Sequence, residues 1–337
     1  MQRMFTRWWV LVLCLVFFTE IQAQDLHFSQ FQHSPLNHNP ALTGIFNGDK
    51  RFAANFRRQW FAVPVDYLTF SASYDRKFLP DGANSFWSAG AVFNYDRAGD
   101  ADLSMAYLGL HGSYTFGFSP SVFVTAGATI GGGQRSLRTT EILWGNYWDG
   151  ERVDPTLPSG EPNFDDNKFF FDLGGGLNLR LQESSRTKLD VGIGLFHLNE
   201  PNNTFYNDAS VKLPVRTALQ ANGSLKLFDA MDLLVNGLVQ FEGPYQEVVL
   251  GGMLNFHISQ KKAREVQFAV GVGYRLDDAL IPQIAVAYDG WRAGFSYDVN
   301  TSIFDVATNQ RGGPEFSLIY IITDVRPLPE TKLCKIF

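Results

Sequence analysis

From Lys50 onward, apolar residues recur at every second position in runs of about ten residues. Val266, Phe268, Val270, Val272 and Tyr274 make one such set, interleaved with Glu265, Gln267, Ala269, Gly271, Gly273 and Arg275. Trp291, Ala293, Phe295, Tyr297 and Val299 make another, as do Val215, Thr217, Leu219, Ala221, Gly223, Leu225 and Leu227. Period two is the signature of a strand with two different faces. Soluble strands average about five or six residues, whereas runs near ten suit strands tilted across a bilayer. The pattern predicts strands at 51–58, 67–75, 85–95, 102–116, 121–132, 168–181, 188–197, 215–227, 232–242, 246–257, 265–275, 279–288, 291–300 and 314–322. That even number suits an all-β transmembrane antiparallel β-barrel of about fourteen strands, over residues 50–323.

The connections alternate in length. With the N-terminus in the periplasm, the inner turns are 76–84, 117–120, 182–187, 228–231, 258–264 and 289–290, mostly short. Asp289-Gly290 is a favoured hairpin turn. The outer side receives the long connections 133–167, 198–214 and 301–313. Short inner turns and long outer loops characterise outer-membrane barrels, and a soluble sandwich has no reason to sort its loops so.

On this reading the apolar face meets lipid. Trp60, Trp87, Tyr95, Trp144, Trp148, Tyr288 and Trp291 fall near strand ends or in adjacent loops, where aromatic girdles form. The other face lines a lumen with Arg51, Asn55, Arg57, Asp172, Asn178, Arg180, Asp190, Arg216, Asn222, Lys226, Asn236, Gln240, Arg275, Arg292 and Asp298. Mixed signs predict a lumen filled by ion pairs and hydrogen bonds rather than a selective aqueous pore. Gly174, Gly176, Gly192, Gly194, Gly271 and Gly273 on that face allow strong curvature or the close approach of a plug.

The start of the chain sets the compartment. Arg3 and Arg7 flank an apolar run, Trp8 to Phe18, that is too short to span a bilayer as a helix. It reads as a Sec signal peptide over 1–23, cleaved after Ala23. Beyond it, no stretch reaches the ~18 apolar residues of a transmembrane helix. Of the two cysteines, processing leaves Cys334 alone, so no internal disulfide is expected. A net charge of −6 with no basic run excludes nucleic acid as a natural partner.

Residues 24–49 do not alternate. Asn37, Asn39, Pro40 and Gly44 favour turns, while Phe28, Phe31, Leu36, Leu42 and Phe46 favour burial. The segment is expected either to plug the barrel mouth or to hang in the periplasm; the tail 324–337 is expected to lie in the periplasm. Gln24-Asp25-Leu26-His27-Phe28-Ser29-Gln30-Phe31, Pro35-Leu36 and Asn39-Pro40-Ala41-Leu42-Thr43-Gly44 resemble the mature start of the PorP/SprF family. Arg51 through Asn55-Phe56-Arg57-Arg58-Gln59-Trp60 resembles its first strand, and Leu68 through Asp75 its second. Phe295-Ser296-Tyr297-Asp298-Val299-Asn300-Thr301-Ser302 and Gly312-Gly313-Pro314-Glu315-Phe316-Ser317-Leu318 resemble its last two strands. Cys334-Lys335-Ile336-Phe337 resembles a Cys-Pro-x-Phe ending, with Lys335 in place of the proline.

The resemblance implies a non-enzymatic outer-membrane protein of the type IX secretion and gliding-motility system of Bacteroidetes. It implies that the barrel receives the C-terminal domain of a secreted adhesin and anchors it at the cell surface, or links to the secretion machinery. Trp144, Tyr147, Trp148, Phe205 and Tyr206, in the outer loops, are the aromatic anchors expected to bind such a partner; packing within the loops or girdle is the other reading. The rival function is a diffusion channel for small hydrophobic molecules, similar to the FadL transporters, which also have fourteen strands and an N-terminal plug.

Other chemistry is weak. His111 and His197 fall in predicted strands, with Ser104, Ser113 and Asp190 of suitable type, but nothing in the sequence brings a serine beside a histidine. His27, His33 and His38 lack a ligand spacing, and Asp154, Glu161, Asp165 and Asp166 read as a solvated acidic loop before a calcium site. Gly131-Gly132-Gly133 and Gly174-Gly175-Gly176 lack the Lys-Ser/Thr of a phosphate loop. No metal, cofactor or catalytic residue is expected.

Overall fold

The computed structural model describes residues 26–324, except 60–66, 80–84, 100–101, 140–141, 143, 155, 162–163, 207, 262–263 and 303–309. The expected signal peptide, Trp60, nearly all of the C-terminal tail and most of loop 301–313 lie outside the described residues. Fourteen antiparallel strands form a closed barrel in which each strand pairs with its chain neighbours and β1 pairs with β14. They are β1 (Lys50–Gln59), β2 (Tyr67–Phe78), β3 (Phe86–Ala98), β4 (Leu103–Ser119), β5 (Val122–Ser136), β6 (Asn167–Gln182) and β7 (Lys188–Phe196), then β8 (Arg216–Phe228), β9 (Met231–Glu242), β10 (Tyr245–Lys261), β11 (Arg264–Arg275), β12 (Ala279–Tyr288), β13 (Trp291–Asn300) and β14 (Arg311–Ile322). Ten residues at about 3.3 Å each, tilted roughly 40°, cover the ~25 Å apolar band of an outer membrane.

Closure sets Lys50 opposite Ile322, so the chain enters and leaves the barrel at one rim. The Asp49 N–H donates to the Ile322 carbonyl (2.8 Å), and Lys50 pairs with Asp324 (3.0 Å). This terminal rim carries the short turns, including Asp289-Gly290, with Asp289 at φ 48° as a primed turn requires. The opposite, loop rim carries the long connections 137–166 and 197–215, together with short ones at 243–244 and 276–278.

The outward face is apolar: Leu108, Leu110, Phe169, Phe171, Val270 and Val286 are among its exposed residues. Aromatic pairs mark the terminal rim, Trp87 with Tyr114 (4.6 Å) and Trp291 stacked on Tyr320 (4.1 Å), with Tyr288 exposed beside Trp291. Trp144 and Trp148 lie instead in the loop beyond β5.

The inward face holds the expected polar residues; Arg51, Asn55, Arg57, Asp172, Asn178, Arg180, Asp190, Arg216, Gln240, Arg275 and Asp298 are buried. What buries them is the N-terminal segment. Residues 28–31 and 33–46 are all buried, in three short 3-10 turns, Phe31–His33, Pro35–Asn37 and Pro40–Leu42. Pro35 and Pro40 open the second and third turns, where a missing N–H costs nothing, and Asn39 caps the third by accepting from the Ala41 N–H (2.8 Å). Phe31 enters an apolar patch inside the lumen formed by Ala218, Leu238, Val249, Ala279 and Ile281. Strict alternation hid this patch, because these inward residues are apolar like their outward neighbours.

Wall residues meet the segment's backbone. Arg51 donates to the Leu42 carbonyl (3.1 Å), Arg180 to that of Ile45 (3.3 Å), Ser113 to that of Thr43 (2.8 Å), and Lys77 to that of Phe46. Gly194 is needed where the segment passes closest: a Cβ there would overlap the His38 carbonyl. Gly176 and Gly192 similarly face Asn39, whereas Gly271 and Gly273 face neighbouring strands. Gly194→Val should therefore loosen the segment by about 1–3 kcal/mol. Faster proteolysis near His38 with unchanged barrel closure is the expected readout; unchanged proteolysis would count against the close contact.

Candidate functional site

A vestibule of about 680 Å³ occupies the loop-rim half of the lumen. Leu26, His27, Leu36 and Asn37 of the N-terminal segment contribute to its lining. The wall of β4, β5 and β6 is hollowed by glycine: the Tyr107 ring lies over Gly131 and the Phe170 ring over Gly133, where any Cβ would collide. This is the role of the glycine run that resembled no phosphate loop.

Charged groups in the vestibule are paired. Asp172 is hydrogen-bonded to His197 Nδ1 (2.9 Å) and accepts from Tyr107 Oη (3.3 Å). His197 stands one residue past β7 rather than within it, at φ 58°. Arg216 donates to the Asn37 carbonyl (2.9 Å) and lies over the Phe196 ring (4.4 Å). His111 contacts Thr129 at 3.4 Å, and no bond joins it to a serine among the described residues.

One side of the vestibule, where Glu247, Arg275 and Asp278 line it, carries a buried charge network. Arg275 meets Glu247 (3.0 Å), Asp278 (2.8 Å) and Asp298 (3.0 Å), and Arg57 meets Asp298 (2.6 Å). The N-terminal segment is keyed into it. Glu315 accepts the backbone N–H groups of Ser29 (2.7 Å) and Gln30 (2.8 Å), and the Ser29 hydroxyl donates to Asp298 (2.6 Å). Arg57 donates to the His27 carbonyl (2.8 Å), and His33 Nδ1 bonds to Ser317 (2.7 Å).

Above the vestibule, loops 137–166 and 197–215 are joined. Phe164 packs against Trp144 (5.3 Å), Phe205 (5.8 Å) and Tyr206 (5.4 Å), and an antiparallel bridge pairs Phe164 with Tyr206. The Asp165 N–H donates to the Phe205 carbonyl (2.8 Å), and Arg135 lies over the Phe205 ring while donating to Asn203 (3.2 Å). Trp144, Phe205 and Tyr206, three of the five expected anchors, thus gather around Phe164. Tyr147 sits in a 3-10 turn, and Trp148 pairs with Val153 in a separate bridge. Phe164 was missed, although it is the single aromatic between Asp149 and Asn167. Phe164→Ala should remove three ring contacts worth roughly 0.5–1.5 kcal/mol each. The two loops should then exchange amide hydrogens faster together; change in one loop alone would contradict the joint.

The loop carboxylates serve their own turns. The Thr156 hydroxyl and N–H hold Asp154 below the usual carboxylate range, the Ser210 hydroxyl and N–H do so for Asp208, and the Arg152 and Glu151 N–H groups for Asp149. Among the described residues, no three His, Cys, Asp or Glu side chains stand together as metal ligands.

In fold the barrel is similar to the toluene transporter TbuX of Ralstonia pickettii, at 12% identity and a TM-score of 0.52 over 85% of this chain and 92% of that one. It is also similar to a FadL homologue of Pseudomonas aeruginosa, at 11% identity and a TM-score of 0.48 over 84% of this chain and 92% of that one. Identity this low speaks for the fold alone. No curated protein sequence matches the chain. Residues 20–320 match the family described as type IX secretion system membrane protein PorP/SprF. The chain belongs to that family, and is a non-enzymatic outer-membrane β-barrel of the type IX secretion system.

Proposed function

We propose that this barrel is a docking scaffold: it anchors a secreted partner, such as an adhesin C-terminal domain, at the cell surface, or links it to the secretion machinery that also serves gliding motility. The observation that carries this reading is the asymmetry of the lumen. Residues 26–46 pack through it toward the terminal rim, while the vestibule and the joined loops open at the other. In this reading residues 24–49 are a plug, the loop rim faces outward, residues 1–23 direct export and the tail 324–337 lies in the periplasm. Trp144, Phe205 and Tyr206 hold the loops in shape, and Trp148 is the anchor most available to a partner, being 58% exposed.

Affinity purification from native outer membranes tests it. A secreted surface protein should accompany the barrel and be lost when Phe164 and Phe205 are both changed to alanine. The rival is a diffusion channel for small hydrophobic molecules, which the apolar vestibule residues Leu36, Val92, Phe170 and Phe196, and the likeness to a toluene transporter, favour. Uptake of such molecules with no protein accompanying the barrel would replace the scaffold reading by the channel.

A further inference from the structure

The two joined loops concentrate the charge of the chain. Residues 137–166 and 197–215 hold nine acidic residues against three basic ones, a surplus equal to the net charge of −6 of all 337 residues. The remaining 25 acidic and 25 basic residues balance.

The same loops expose apolar side chains in two places, each beside a carboxylate. The Trp148–Val153 bridge displays Trp148 and Val153, at 58% and 47% exposure, and Glu151 lies in the turn between them. The Phe164–Tyr206 bridge displays Tyr206, at 42% exposure, with Asp165 next along the chain. Asp149, Asp154 and Asp208 are engaged in capping their own turns. The Glu151 and Asp165 side chains are exposed and take no part in that capping. An aromatic knob ringed by charge is the anatomy of a protein interface, in which the buried ring supplies affinity and the rim supplies steering and selectivity.

Resting on the docking reading, we propose that the partner presents a basic face, lysines or arginines around apolar pockets that receive Trp148 and Tyr206. Like charge at close range disfavours an acidic partner, and the net acidic surface raises the encounter rate of a basic one at low ionic strength. The Val153 and Trp148 side chains then become the dry centre of the contact, with Glu151 and Asp165 at its edge.

The test uses the purified full-length barrel and two labelled hexapeptides, one alternating lysine with leucine or phenylalanine and the other carrying glutamate in place of lysine. Fluorescence anisotropy should show the lysine peptide binding at least about ten-fold more tightly, a difference of about 1.4 kcal/mol. Raising the salt should shrink the difference. Glu151→Lys with Asp165→Lys should abolish it, Trp148→Ala should weaken binding of the lysine peptide, and Glu183→Lys, at the terminal rim, should change neither. Equal binding of the two peptides, or no effect of the loop reversals, overturns the proposal. The docking reading is judged separately, by co-purification from native membranes. A surface protein that accompanies wild type and the Glu151/Asp165 reversal equally leaves docking standing and removes the basic-face requirement. Loss of that protein in the reversal, with retention in Glu183→Lys, supports both.

Discussion

Deleting residues 26–46 should convert the barrel into an ion-conducting pore. A fourteen-strand barrel lies between small barrels filled by their own side chains and the 16–18-strand porins that hold an aqueous channel. Here the space is taken by a segment that places Phe31 in a lumen pocket, lays Pro40 and Ala41 against Gly127, and sets Leu42 and Ile45 beside Phe86. Strand pairing from β1 to β14 uses only wall backbone, so closure does not depend on the segment. The lumen carboxylates and guanidiniums would exchange segment contacts for water, which an open lumen supplies. Asn222, Asn236, Gln267 and Arg292, on strands β8, β9, β11 and β13, are already only half-buried. Wild type should give little conductance in planar bilayers, and the deletion should give stable open steps, with heat-modifiable gel mobility confirming a closed barrel in both. Large open steps from wild type would overturn the plug and favour the channel reading.

The strands were legible because lipid enforces alternation: an outward polar residue has no partner in the bilayer. Each expected strand has its counterpart, and the ends differ most where strands leave the apolar band. β10 runs to Lys261 and β5 to Ser136, several residues beyond the alternation that located them. The site was less legible because its partners are distant in sequence. Arg57 meets Asp298 and Glu315 only once β1 closes on β14, a register that no local pattern reveals. Phe164 lacked a periodic context and gained its role from a second loop. Four of the motifs that carried the family resemblance share one location: Ser29, Gln30, Arg57, Ser296, Asp298, Glu315 and Ser317 form one hydrogen-bonded cluster. Residues that looked like separate short signatures are the two sides of the contact between segment and wall.

That cluster sets the last expectation. Asp298, 1% exposed, accepts from Arg57, Arg275 and Ser29, at 2.6, 3.0 and 2.6 Å. Asp298→Ala leaves two buried guanidiniums and a hydroxyl short of an acceptor. Removing one member of a buried ion pair costs about 3–5 kcal/mol, because the remaining charge is neither solvated nor compensated. Arg275 retains Glu247 and Asp278, and Arg57 keeps Glu315 only at 3.9 Å, so the loss should fall at the lower end, near 3 kcal/mol. Asp278→Asn, at a carboxylate 37% exposed, should cost no more than about 1 kcal/mol, since water screens that pair. Urea unfolding of the barrel in lipid vesicles gives both values. The double variant Arg57→Met with Asp298→Leu should be more stable than Asp298→Ala alone, because removing both charges removes the unmet one. A double variant at least as damaged as the two single losses added together would show that Asp298 acts through packing, and the charge network would no longer explain how the segment is held.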